Sequence, residues 1–136
     1  GFCGAIKAHR VYAYRFPRRG QEGKMDDGVS LFSKLQETMA QAFDANESLF
    51  ELGREKAEAE AAYRTAVANK ELELRLQAKL PASLIHDLAR GSEEVAALFI
   101  EKECSAVLYE KTQEEVLLRK READILREQI AREYSR

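Results

Sequence analysis

From Val29 to Lys79 the chain has no proline and one glycine, Gly53; from Glu93 to Tyr134 it has neither. Both runs consist mostly of Ala, Leu, Glu, Lys, Gln and Arg, the residues that lose least on entering a helix. In the first run Leu31, Leu35, Met39, Ala42, Leu49, Leu52, Ala59, Tyr63, Ala66 and Val67 recur at steps of three, four and seven, which puts them on one helical stripe. Ser-Leu-Phe occurs at 30–32 and again at 48–50. Eighteen residues is about five turns at roughly 3.6 residues per turn, so both copies face one way. The pattern predicts one long helix over 29–79, with a break or kink near residues 44–48 or at Gly53.

Leu80-Pro81 stops that helix, because proline lacks the amide donor and pushes the preceding residue out of helical geometry. Pro81 also suits the first turn of a short helix over 82–90, where Leu84, Ile85 and Leu88 show helical spacing. Gly91 is expected to close it as a left-handed cap. Ser92 is then a natural N-cap, with Glu93 and Glu94 in a first turn whose dipole favours negative charge. A second long helix follows over about 93–134. Val95, Leu98, Lys102, Tyr109, Thr112, Val116, Arg119, Ala123, Leu126 and Ile130 hold a near-heptad seam, which Phe99, Leu117, Leu118 and Ile125 widen.

The expected fold is all-α: a long antiparallel helical hairpin, coiled-coil-like, with a short connecting helix. A lone pair of helices leaves much apolar stripe wet, and such stripes mark interfaces. A homo-oligomer is therefore expected, a dimer forming a four-helix bundle. Its candidate seam comprises Leu35, Leu49, Tyr63, Val95, Leu98, Tyr109, Val116, Leu126 and Ile130. The alternative is a first helix that folds back near Gly53 to give a compact monomeric bundle.

The net charge of −2 hides an asymmetry. Residues 1–24 carry six basic residues against one acidic; residues 25–136 carry sixteen against twenty-three. Four of the seven glycines fall in the first segment, with Phe2, Tyr12, Tyr14 and Phe16. The chain thus divides into a basic segment, 1–24, and a helical domain, 25–136. Three readings of the segment compete. It is a nucleic-acid arm, whose basic side chains neutralise phosphates while its aromatics stack on bases. It is a targeting peptide, Arg-rich and acid-poor. Or it is a translated leader, the reading we prefer. Gln21-Glu22-Gly23-Lys24-Met25 can be encoded with AGGAGG, a bacterial ribosome-binding sequence, just before an ATG, which makes Met25 the expected start. Residues 11–16 have strand-like content and suit an extended chain.

The composition excludes several classes. It is too apolar for a disordered chain, and two cysteines make neither a disulfide framework nor a cysteine-based zinc site. No apolar run approaches the roughly 20 residues of a membrane span. His86 beside Asp87 reads as an ordinary surface or interface histidine, and Cys104 as a small buried hydrophobe rather than a nucleophile. His9 and Cys3 lie in the doubtful segment. The acid clusters Glu55-Glu58-Glu60 and Glu110-Glu114-Glu115 interleave with Lys56, Arg64, Lys111 and Arg119, so they read as solvated faces laced with i,i+4 pairs. No Glu-x-x-His pair, glycine-rich phosphate loop or nucleophile elbow occurs. The expectation is no enzyme, cofactor or metal.

The stretch from Leu49 to Tyr134 resembles a family of small uncharacterised helical proteins of phages and prophages of Gram-positive bacteria. The residues that carry the resemblance are Ala-Glu-Ala-Glu-Ala-Ala-Tyr at 57–63, Pro81 with Leu84-Ile85-His86-Asp87-Leu88-Ala89-Arg90-Gly91, and Glu94-Val95-Ala96 leading to Ala106-Val107-Leu108-Tyr109. It implies a location in the bacterial cytoplasm and a place near phage replication or recombination functions; it supplies no catalytic residue.

The function expected on these grounds is non-enzymatic protein–protein contact with a replication, recombination or host protein, without a membrane. The candidate contact is the tip between the long helices, with Leu84, Ile85, His86 and Arg90. For Leu84, Ile85 and Leu88 the simpler role of capping the bundle's end is preferred. The first alternative is a nucleic-acid-binding accessory protein using Arg10, Arg15, Arg18, Arg19, Arg119, Lys120 and Arg121. It is disfavoured by the −7 body and by the neighbouring acids Glu122, Asp124, Glu128 and Glu133. The second alternative is an assembly chaperone or scaffold.

Overall fold

A computed structural model of the chain describes residues 28–135. Arg10, Arg15, Arg18, Arg19 and the 11–16 stretch lie outside them. Three helices make up the described chain: α1, Gly28–Gln77; α2, Ala82–Gly91; and α3, Glu93–Tyr134. At about 1.5 Å per residue α1 and α3 are on the order of 75 and 60 Å long.

Among the side chains buried or half-buried along α1, Leu31, Leu35, Thr38, Ala42, Ala45, Leu49, Leu52, Lys56, Ala59, Tyr63 and Ala66 form a stripe in alternating steps of four and three. On α3 the matching set is Val95, Leu98, Lys102, Ser105, Tyr109, Thr112, Val116, Arg119, Ala123, Leu126 and Ile130. That alternation keeps one stripe of each helix turned toward the other, from Leu31 to Ala66 on α1 and from Val95 to Ile130 on α3. The contacts fix the sense. Leu31 and Leu35 pack with Ala123, Leu126 and Ile130; Gly53 lies against the Tyr109 ring; Tyr63 meets Phe99 with centroids 5.7 Å apart; Glu71 pairs with His86. Numbers rise along α1 as they fall along α3, so the two helices lie side by side and antiparallel. The nine residues expected to form an oligomer seam line this contact within one chain.

The breaks sit close to where the sequence places them, with three local differences. First, α1 runs through 44–48 and through Gly53 without interruption. Ser48 donates its hydroxyl to the Ala45 carbonyl at 2.7 Å instead of competing for the chain's direction. Second, Pro81 is the residue before α2, not its first turn; its φ is −57°, and its carbonyl accepts the Ile85 amide at 3.1 Å. Third, Gly91 ends α2 without a left-handed φ, so it is not the expected cap. The turn is made by Ser92, extended at φ −67° and ψ 147°. Its hydroxyl donates back to the Ala89 carbonyl at 2.8 Å, closing α2, and does not cap the amides of α3. Glu93 and Glu94 occupy the first turn of α3 as expected.

The two helical glycines play opposite parts. A Cβ on Gly53 would sit 3.2 Å from Cε2 of Tyr109, so this position is kept small by a ring on the facing helix. A Cβ on Gly91 would meet nothing within 4 Å. Glycine costs a helix about 1 kcal/mol relative to alanine. Gly91→Ala is therefore expected to raise the unfolding free energy by roughly 0.5–1 kcal/mol. Gly53→Leu is expected to lower it by about 1–3 kcal/mol through overpacking. Urea unfolding followed by circular dichroism checks both signs at once.

Candidate functional site

The contact between α1 and α3 is polar in its middle. Lys56 and Lys102 occupy inward positions, and each lays its aliphatic stem along the seam. The Lys56 ammonium ends 5.1 Å from the centroid of the Tyr109 ring. That of Lys102 ends 5.1 Å from Tyr63 and 5.7 Å from Phe99. Such cation–ring contacts are worth roughly 0.5–1 kcal/mol at partly exposed sites, enough to make lysine tolerable there. Thr112 donates its hydroxyl to the Leu108 carbonyl at 2.9 Å. Arg119 is 4% exposed, and its guanidinium lies 3.6 Å from Glu115 and 3.4 Å from Glu122. Among the described residues every buried side-chain polar atom has a partner.

The outer acids pair along their own helices. Arg54 meets Glu58 at 3.0 Å and Glu51 at 3.6 Å, and Arg64 meets Glu60 at 2.9 Å. The hydrogen bond to Glu58, then the charges of Glu58 and Glu51, hold Arg54 more firmly protonated than a free guanidinium. No group of three or more His, Cys, Asp or Glu side chains is placed to hold a metal ion among the described residues, and no described helix is long and apolar enough to cross a membrane. Cys104 is half-buried on α3.

The tip candidates divide. Ile85 is buried, as is Ala89 one turn on, so this edge of α2 closes the end of the helix pair. Leu84 and Leu88 are both about half exposed. His86 and Arg90 also face outward, His86 with its Nδ1 against the Glu71 carboxylate. Of the basic candidates on α3, Lys120 and Arg121 are exposed while Arg119 faces the seam. Placing Arg119 inward leaves two of these three cations at the surface.

The feature that sequence reasoning did not single out is a second stripe on α1, one residue round from the seam: Phe32, Gln36, Met39, Phe43, Asn46 and Phe50, all exposed. The exposures of Phe32, Phe43 and Phe50 are 51%, 63% and 81%. The repeated Ser-Leu-Phe was its visible trace, since each copy sends its leucine into the seam and its phenylalanine out. Beside the stripe, Met39, Phe43 and Asn46 border a groove of about 460 Å³ whose far wall is Lys120, Asp124 and Arg127 of α3. Arg127 reaches across it to the Met39 sulfur at 3.7 Å. On α3, Ile100, Val107, Leu117, Leu118 and Ile125 are also exposed.

No protein-family model, curated protein or solved structure matches this chain.

Burying an arginine between carboxylates of its own helix gives the seam little net stability, because desolvation offsets the attraction. Glu115 and Glu122 both reach water and lose little when left alone. Arg119→Met is accordingly expected to leave the unfolding free energy within about 1 kcal/mol of wild type or to raise it. Arg119→Glu, which places three carboxylates together, is expected to lower it by roughly 2 kcal/mol or more. Chemical unfolding of the two variants beside wild type decides between these values.

Proposed function

We propose that this chain is a non-enzymatic helical-hairpin protein that works by protein–protein contact. Its long antiparallel helices pack in coiled-coil fashion and associate with a second copy as a four-helix bundle. The observation that carries the reading is the amount of large apolar side chain left outward: fifteen such residues on the described helices are exposed, spread along both long helices and α2. Scattered surface hydrophobics are ordinary, but stripes continuous along a helix are characteristic of surfaces that meet another protein. The phage-family resemblance adds the setting, a bacterial cell in which the partner is a replication, recombination or host protein.

The contact with that partner is assigned to the outward edge of the tip, Leu84, His86, Leu88 and Arg90. There a 10-residue helix carries two half-exposed leucines beside a histidine and an arginine. Ile85 belongs to the end of the helix pair and not to this surface. The nucleic-acid alternative has less support than before, since Arg119 turns inward and the remaining candidates on α3 are Lys120 and Arg121.

The test is affinity capture from phage-infected or induced host cells, with wild type and a Leu84→Asp/Leu88→Asp variant as baits. A partner retained by wild type and lost by the variant, at unchanged helical content, is the expected result. Capture of nothing specific, or equal capture by both baits, contradicts the assignment.

A further inference from the structure

The exposed stripe on α1 runs through the same chemical types from either end. About a point at Gln41, Phe32 mirrors Phe50, Gln36 mirrors Asn46, and Met39 mirrors Phe43. Across a two-fold axis each residue of one copy meets its mirror in the other, so this arrangement sets like chemistry against like. We propose that two copies of this chain associate through this stripe, α1 antiparallel to the partner's α1, with the axis crossing the stripe between Met39 and Phe43, level with Gln41. Aromatic then faces aromatic at both ends, amide faces amide at the next level in, and methionine faces phenylalanine beside the axis.

Three further observations favour a second copy as occupant. The stripe lies about a quarter turn from the α3-facing seam, the angle at which a helix of a four-helix bundle meets its second neighbour. The amount of surface is right: with about 150–250 Å² per aromatic side chain, the exposed parts of the three phenylalanines and of Met39 expose several hundred Å². A standard interface takes roughly 800 Å² per partner, so the stripe supplies its apolar centre and leaves a polar rim to supply the rest. The rim is polar, as such an interface needs: on the α3 side it carries Lys120, Asp124 and Arg127. The corresponding edge of α3 is mostly polar, so the aromatic stripe finds its match on the partner's α1 rather than on its α3.

The proposal rests on the interaction reading above, but its test is separate from partner capture: a lost partner leaves the dimer standing, and a missing dimer leaves the tip assignment standing. Sedimentation equilibrium of the full chain is expected to give a dimer, and Phe43→Glu/Phe50→Glu a monomer with unchanged far-ultraviolet circular dichroism. A second measurement fixes the register. In a background with Cys3 and Cys104 replaced by serine, a mixture of Gln36→Cys and Asn46→Cys chains is expected to cross-link under mild oxidation at least tenfold faster than either variant alone. A monomeric wild type, a dimer that survives the double glutamate substitution, or cross-linking of Gln36→Cys with itself as fast as the mixture would each overturn the proposal.

Discussion

Everything in this molecule depends on one contact: the antiparallel seam in which α1 and α3 face each other along residues spaced alternately three and four apart. Neither helix is stabilised by a broad core. Among the described residues the larger side chains buried to within about 5% are few, Val95, Ile85, Leu52 and Arg119, and the apolar cluster of Leu31, Leu35, Ala123 and Leu126 sits toward the end of the pair away from α2. Burying such side chains contributes about 1.5–3 kcal/mol each, so this cluster is an anchor, and the rest of the seam works by closeness. Ala42, Ala45, Gly53, Ala59 and Ala66 keep α1 slim where α3 presents Arg119, Tyr109 and Lys102. Small residues on one helix thus make room for long, amphipathic ones on the other. Lysine and arginine enter the seam because their stems are apolar and their heads find rings or carboxylates.

A two-helix contact uses one stripe of each helix and leaves the others to solvent. That is the source of the outward Phe32, Met39, Phe43 and Phe50, and of Leu117, Leu118 and Ile125 on α3. Their exposure follows from the geometry of two long rods: side chains about a quarter turn from the seam touch the facing helix at most at its edge, as Met39 does through Arg127. The tip shows the same division on a smaller scale. Ile85 and Ala89 face the long helices and are buried, while Leu84 and Leu88 on the same short helix are not.

Helix content and the position of the break were legible in the sequence because they depend on local chemistry. Residues that favour helix run unbroken up to Pro81 and again after Gly91-Ser92, and those two breaks place three helices within a residue or two of their ends. The α3 seam was also legible, down to Lys102, Thr112 and Arg119, because its repeat holds without slip from Val95 to Ile130. The α1 seam was blurred. Met39 interrupts it as an apolar residue at an outward position, while Thr38 and Lys56 are polar residues at inward ones. Hydrophobicity alone therefore mixes two adjacent stripes into one. The cap at residues 91–92 was misjudged for a different reason: glycine permits a left-handed turn, but an extended Ser92 bonding back to Ala89 satisfies the same carbonyl without one. What Gly53 does needs the Tyr109 ring on the other helix, which no local pattern contains.

The central claim is that α1 and α3 of one chain lie side by side and antiparallel, from Leu31 to Ala66 on α1 and from Val95 to Ile130 on α3. The most direct measurement is the distance between spin labels attached at Asp44 and Leu117 of the same chain, diluted with unlabelled protein to suppress signals between copies. Packed helices have axes about 8–10 Å apart, so labels level with one another on the pair are expected within roughly 30 Å. A separation beyond about 50 Å, which an α1 extending away from α3 would produce, contradicts the account.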